Sequence, residues 1–213
     1  MDNLPVIVIG AGGHARVLIY TLVARSVKIL GLGVTTAEAK VSSILDLPFL
    51  GGTDEILAHS REEVQLVLGF GSIISTEARR RTFSFFKEKG YTFAAVIHPS
   101  AVIAGEVKLG EGVQVMAGVV IQPGCKIGGN TIVNTGTTVD HDCVIGEHVH
   151  LAPGVTLSGG VKVGSGTHVG TGVTVIQDIN IGENCLLGAG ALIIHDVPDN
   201  VKVIGHPGRI VEK

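Results

Sequence analysis

Every sixth residue from Ile103 to Ile193 is Ile, Leu or Val. The series runs Ile103, Leu109, Val115, Ile121, Ile127, Val133, Val139, Ile145, Leu151, Leu157, Val163, Val169, Val175, Ile181, Leu187 and Ile193, with no lapse in phase. The residue two before each is always Ala, Val, Cys, Thr or Ile. A period of six cannot serve a helix of 3.6 residues per turn. It does serve a coil of three short flat strands, eighteen residues around, stacked into a triangular prism. The aliphatic residue then points inward, small residues fit beside it, and Gly or Asn relieves the corners. Sixteen hexads make five and one-third coils, which at ~4.8 Å per coil gives a prism roughly 25 Å tall. Composition agrees: 31 glycines, 4% aromatics and no Trp suit an interior too narrow for rings.

Residues 1–97 follow another grammar, that of an α/β unit. Pro5-Val6-Ile7-Val8-Ile9 is a β-branched run ending in Gly10-Ala11-Gly12-Gly13, and a helical pattern with Val17, Leu18, Thr21 and Leu22 on one face follows. Val27 to Leu30 and Val64 to Leu68 read as further strands, the latter ending in Gly69-Phe70-Gly71-Ser72. Thr76 to Lys89 suits a helix stopped by Gly90, and Phe93 to Ile97 a fourth strand. Strands alternating with helices predict a small parallel, Rossmann-like sheet, with ligands beyond the C-terminal strand ends. Both glycine turns sit there. The expected division is therefore 1–97 for the α/β unit and 98–213 for the repeat.

Bulk properties exclude several classes. Net charge is −3, and the one basic run, Arg79-Arg80-Arg81, reads as a solvated helix face, so no nucleic-acid partner is expected. Three cysteines without CxxC spacing suit a reducing, cytoplasmic setting. The start of the chain lacks the pattern of a signal peptide, and no apolar run is long enough for a membrane helix.

Residues eighteen apart stack on adjacent coils. Cys125 and Cys143 stack at the inward small position, as ordinary core residues or as a disulfide or metal pair. His150 and His168 stack facing outward. His141 falls at a corner, between Asp140 and Asp142, with Pro123 and Gly159 below and above it and open space expected beside its ring. A carboxylate on one imidazole nitrogen leaves the other available as a base with a raised pKa. The alternative from the repeat alone is a surface histidine between solvated acids. A zinc site for metal-dependent hydration needs three converging histidines. The γ-type carbonic anhydrases, which share this repeat, carry a His pair five residues apart. No two of the nine histidines here have that spacing, so no metal is expected.

The hexads resemble the left-handed parallel β-helix of the hexapeptide acyltransferase superfamily, which implies a homotrimer packed about parallel axes. The stretch Asn134-Thr135-Gly136-Thr137-Thr138-Val139-Asp140-His141-Asp142-Cys143-Val144-Ile145-Gly146, with Val149-His150-Leu151, resembles a narrower group. That group is the bacterial nucleotide-sugar N-acetyltransferases and their sialic acid O-acetyltransferase relatives, in which an α/β nucleotide-binding domain precedes the β-helix. The resemblance implies acetyl-CoA as co-substrate, His141 as general base and Asp142 as the acid that raises its basicity. Asp142 stands where the family often has the longer Glu. It also implies His150 at the acetyl end of acetyl-CoA, Gly159 as an oxyanion donor, Thr171 and Ala189 along the pantetheine arm, and Asn134 in the sugar pocket. The tail Gly205-His206-Pro207-Gly208-Arg209 resembles the closing motif near the adenine of CoA. Gly10-Ala11-Gly12-Gly13-His14-Ala15 resembles the sugar-nucleotide loop, so Gly12, Gly13 and His14 are candidate substrate contacts, as is Ser72 in the other turn. The family's acidic pair after the second strand is missing from Leu32-Gly33-Val34-Thr35-Thr36, which leaves UDP, GDP and CMP open.

The expected function is acetyl-CoA-dependent N-acetylation of a nucleotide-linked amino sugar, in the 4-amino-dideoxy class, for polysaccharide biosynthesis, with the histidine base between adjacent subunits. The alternatives are a sialic acid-type O-acetyltransferase and a non-catalytic sugar-nucleotide-binding protein.

Overall fold

The computed structural model describes residues 4–35, 44–72 and 74–205. Four strands, β1 (Val6–Ile9), β2 (Ile29–Gly33), β3 (Phe49–Gly51) and β4 (Gln65–Leu68), form a parallel sheet in the order β3-β2-β1-β4. All four residues of β1 are buried, as a β-branched run covered on both faces requires. On one face Val6 and Val8 pack with Leu18, Ile19 and Leu22 of α1 (Gly13–Ala24). On the other, Ile7 and Ile9 meet Ile56 of α2 (Thr53–Leu57) and Phe86 of α3 (Glu77–Glu88).

Three local expectations are corrected. Phe93 makes only an isolated bridge to Leu66, while Val96–Ile97 pairs with Gln114–Val115 of the repeat. The reason is phase: Ile97 lies one hexad before Ile103. The fourth strand of the sheet is instead β3, three residues long and too short to show a period. On α1 the inward arc is Ala15, Leu18, Ile19 and Leu22, and Val17 is exposed. The arginine run is not a uniformly solvated face. Arg80 and Arg81 are exposed, but Arg79 is fully buried and shares its side of α3 with Phe86, seven residues on.

From Val96 onward the chain is a parallel β-solenoid with three faces of seven, six and five strands. Face 1 begins with Val96–Ile97, face 2 with Val102–Ile103 and face 3 with Lys108–Leu109. The interior is mainly aliphatic, and the two-residue strands up to Leu192–Ile193 pair with one another at a spacing of eighteen residues. Cys125, Cys143 and Cys185 are free and buried. Cys125 and Cys143 donate their S–H groups to the carbonyls of Asp140 and Ser158. Burial pushes the Cys143 thiol up to about 12, so both behave as small core residues. At the C-terminal end the spacing shortens: Val203 pairs with Leu187 and Val197 bridges Ile181, sixteen residues apart in each case.

The α/β unit lies against face 1. Gln114, Ile132, His150 and His168 point out of the prism there and are nevertheless buried. His150 and His168 thus stack facing outward as expected, and the α/β unit covers them. The covering groups are the start of α1, the turn after β4, and α3. Arg79 bonds the carbonyls of Leu68 and Phe70 through Nη1 and that of Asn130 through Nε. Phe83 meets the His148 ring edge-on. Burial without a carboxylate partner lowers the Arg79 pKa to about 9.

Candidate active site

The corner between faces 2 and 3 carries His141. Its φ-positive position goes to Asp142 (φ 59°), and the same corner of the neighbouring coils holds Gly124, Gly160 and Asp178 at φ 79°, 71° and 60°. Asp tolerates this left-handed conformation better than most residues. The conformation turns the Asp142 carboxylate back onto its neighbour, with Oδ2 2.9 Å from His141 Nδ1. The shorter acid therefore makes a direct contact. Asp140 Oδ1 accepts the His141 backbone N–H at 2.8 Å. A carboxylate on Nδ1 selects the Nδ1–H tautomer and leaves the Nε2 lone pair free. The hydrogen bond to Asp142 raises the His141 pKa above its usual value, and the charges of Asp140, Asp142 and Asp178 act in the same direction. The ring is exposed, and one side of it rests on the next coil. It lies on Gly159, where a Cβ would fall 2.6 Å from both Cε1 and Nε2. Only a glycine one coil on lets the imidazole occupy this corner.

A second group gathers where faces 1 and 2 meet. Ser72, His150, Pro153, His168, Thr171 and Ala189 line one cleft of about 330 Å3. Pro153, Thr171 and Ala189 are successive rungs, eighteen residues apart. Ser72 Oγ lies 2.8 Å from His150 Nδ1 and 3.0 Å from His168 Nδ1. Asn134 Nδ2 lies 3.2 Å from His150 Nε2. Burial and the adjacent His168 ring hold His150 neutral, its pKa lowered to about 3, and burial also lowers His168.

The glycine loop adjoins this cleft. Gly12 caps α1 without a side-chain bond, and Gly12 and Gly13 are exposed, so the first amides of α1 are accessible to an anion. Gly10 adopts φ 122°, and a Cβ there would fall 2.9 Å from the Gly69 carbonyl oxygen. That close approach brings the two turns together. His14 Nε2 bonds Gln114 Oε1 at 2.8 Å, and Gln114 Nε2 in turn donates to the Leu68 carbonyl. Burial lowers His14 to about 4.

The predicted residues thus fall in two groups. His141, Asp142 and Gly159 share one corner. His150, Asn134, Ser72, Thr171 and Ala189 share another, beside Gly12, Gly13 and His14. Among the described residues no hydrogen bond or ion pair joins the groups. The prism explains this: residues stack only at multiples of eighteen, and positions twelve apart, such as 141 and 153, lie on different corners. His168, Gln114 and Arg79 were not singled out as site residues. His168 and Gln114 share the column of His150, a signal present in the register, whereas the covering of that column by the α/β unit had none. Residues 206–209 of the tail motif and Thr36 lie outside the described residues. Among those described, no group of three or more His, Cys, Asp or Glu is placed to hold a metal ion, and no helix is long and apolar enough to cross a membrane.

The neutral histidines tie stability to pH. The unfolded chain protonates them near 6.5, while folded His14 and His150 resist until about 4 and 3. Between these values the unfolded state binds more protons, so stability falls as pH drops below about 6.5, and above that it is fully present. A loss on the order of a few kcal/mol is expected across the window. Thermal melts from pH 7.5 to 5 should show the fall, with a shallower slope in His150→Gln. A melting temperature flat across that range would contradict it.

The sequence matches the family described as bacterial transferase hexapeptide (six repeats) over residues 106–141, 124–159 and 142–177. Among curated proteins none matches. Among solved structures, the perosamine N-acetyltransferase PerB from Caulobacter crescentus, in complex with CoA and GDP-perosamine, is 36% identical with a TM-score of 0.87, covering 98% of this chain and 97% of that one. A variant of that enzyme with a histidine replaced by asparagine matches equally well in fold, with a TM-score of 0.87. The acetyltransferase domain of PglB from Neisseria gonorrhoeae, in complex with acetyl coenzyme A, is 31% identical with a TM-score of 0.87, covering 99% and 100%. WeeI from Acinetobacter baumannii, 24% identical over 97% and 99% of the two chains, shares the fold with a TM-score of 0.84.

Proposed function

The chain belongs to the bacterial nucleotide-sugar N-acetyltransferases of the hexapeptide-repeat superfamily, and from that premise we propose that it transfers an acetyl group from acetyl-CoA to the amine of a nucleotide-linked amino sugar. The observation that carries this reading is the His141–Asp142 pair, with Nε2 of the imidazole free above Gly159. The α/β unit before Val96 holds the nucleotide, and the solenoid from Val96 onward carries out the transfer. The diphosphate rests on the amides of Gly12, Gly13 and His14. The pantetheine arm lies along Thr171 and Ala189, with the acetyl end near His150. Ser72 lines the same cleft, and Asn134, bonded to His150, reaches the sugar.

The sugar nitrogen attacks the thioester carbon, and His141 Nε2 takes a proton from it as the C–N bond forms. The Asp142 carboxylate steadies the imidazolium. The Gly159 N–H donates to the oxyanion, which collapses with loss of the CoA thiolate. The thiolate leaves as thiol once protonated, and His141 returns to its neutral form. Held in line, the two substrates react as one unit.

In one chain His141 and the cleft occupy different corners, so we place the working site between two copies, in the homotrimer the family implies. Thiol release with a panel of UDP- and GDP-linked 4-amino sugars, alongside their hydroxy counterparts, tests the reading. Turnover with amino sugars supports it. Turnover restricted to hydroxy sugars would make the chain an O-acetyltransferase, and no thiol release with any member would refute transfer.

A further inference from the structure

The acetyl-transfer scheme leaves His168 without a role and treats Ser72 only as a wall of the cleft. Ser72 is hydrogen-bonded to both His150 and His168, and the directions of these bonds follow from the Asn134 end. Asn134 Oδ1 accepts the Thr135 backbone N–H at 2.8 Å, which fixes the side-chain amide with its NH2 toward His150 Nε2, 3.2 Å away. A nitrogen that accepts there must carry its lone pair, so the proton of the neutral ring sits on Nδ1. Nδ1–H then donates to Ser72 Oγ at 2.8 Å, and the hydroxyl passes its own hydrogen to His168 Nδ1 at 3.0 Å. The His150 and His168 rings meet edge-on, with centroids 4.9 Å apart.

We propose that Ser72 and His168 are positioning residues, which through a one-way hydrogen-bond chain from Asn134 to His150 to Ser72 to His168 hold His150 as its Nδ1–H tautomer and Asn134 as a donor in the sugar pocket. The chain deepens the acetyl-transfer reading and rests on it for its meaning in turnover. It also crosses between the two units of the molecule. Ser72 belongs to the turn after β4, and a Cβ on the preceding Gly71 would fall 3.3 Å from His150 Cε1 and 3.9 Å from His14 Cγ. The turn that touches the nucleotide-loop histidine therefore also sets the proton on the acetyl-end histidine. A competing donor is built in: the Ser72 backbone N–H meets the geometry of a hydrogen bond to His150 Nδ1 at 3.3 Å, slightly longer than the Asn134 contact at 3.2 Å that favours the opposite tautomer. It can bond only if that nitrogen loses its hydrogen. Removing the hydroxyl leaves Nδ1–H without its acceptor and facing this amide. The ring is then expected to change to the Nε2–H tautomer, setting two donors, Nε2–H and the Asn134 NH2, against each other.

Nitrogen NMR of histidine-labelled protein, with His150→Gln to assign the signal, reads the tautomer directly. His150 should be protonated on Nδ1 in the parent chain and in Ser72→Thr, which keeps the hydroxyl, and on Nε2 in Ser72→Ala. Steady-state kinetics should give Ser72→Ala a kcat lowered roughly tenfold, the scale set by a displaced positioning group, with KM for the nucleotide sugar within about twofold. Ser72→Thr should recover most of the loss, and His168→Phe should lower kcat in the same direction. The proposal is overturned by an Nε2–H signal in the parent chain, by an unchanged tautomer or kcat in Ser72→Ala, or by a raised KM for the nucleotide sugar with kcat intact. That last result would mark Ser72 as a nucleotide contact. The tautomer measurement needs no turnover, so a parent chain that acetylates nothing would refute the proposed function while the chain of bonds is still read.

Discussion

His141→Asn is expected to lower kcat by ~10² or more with little change in KM for either substrate, the loss typical of a missing general base. Asparagine keeps a polar group over Gly159 but cannot take a proton at neutral pH. The same pair sets a pH dependence. Only neutral His141 can act as base, and its pKa lies above the ordinary value because Asp142 stabilises the charged ring. The acid limb of kcat should therefore fall above pH 6.5, the unperturbed value, and Asp142→Asn should move it to lower pH while reducing the maximum. Rate profiles from pH 5.5 to 9 for the parent and both variants decide the matter. A His141→Asn enzyme with undiminished kcat would remove this residue from the chemistry, and an acid limb that stays put in Asp142→Asn would remove the pair's electrostatic coupling.

Gly128→Ala should be among the most damaging single-methyl changes in the solenoid. Gly110, Gly128, Gly146, Gly164 and Gly182 form a column at the corner between faces 3 and 1. At each, an added Cβ would run into the next coil. At Gly128, as at Gly110 and Gly164, the collision is with backbone alone: 2.5 Å from the Gly146 carbonyl carbon and 2.6 Å from both Glu147 N and Gly146 O. No side chain can turn aside there, so two coils must spread against the ladder bonds, including Gly128 N–H to Ile145 O. Overpacking of this kind costs about 3 kcal/mol, or a fall in Tm on the order of 10 °C for a chain of this length. Gly105→Ala is the control. A Cβ there meets nothing within 4 Å, and its effect should stay within about 0.5 kcal/mol. Equal melting temperatures for the two variants would show that the coils are softer than the stacking implies.

The solenoid was legible because its signal is redundant: the same inward position recurs from Ile103 to Ile193, and any few of its residues would suffice to find it. The His141 corner was legible for the same reason, since eighteen-residue stacking alone puts Gly159 on His141. What the register could not report is what lies against the outside of the prism. His150 and His168 read as facing out of the prism, which they do, but nothing in their own coils shows that they are covered. Their cover comes from Gly71 and Ser72, far away in sequence. Arg79 misled for a related reason: a charged run on a helix is usually solvated, and only the placement of α3 against Asn130 buries one member of it. β3 was missed because three residues cannot display a period.

The shortened last coil bears on what changes in length this fold can survive. Between His141 and Ala189, inserting or deleting a single residue would rotate every later side chain, turning inward aliphatic residues out and dispersing the rungs of the cleft. Substitutions act locally here, but frame within the coil is shared by everything downstream. Only a change of eighteen residues would restore the faces, and it would still carry Thr171 and Ala189 one storey away from His150. The sixteen-residue pairings of Val197 and Val203 occur near the end of the described chain, past all of the described candidate site residues. Length variation among chains of this kind should therefore gather beyond Ile193, and the coils between His141 and Ala189 should keep their count.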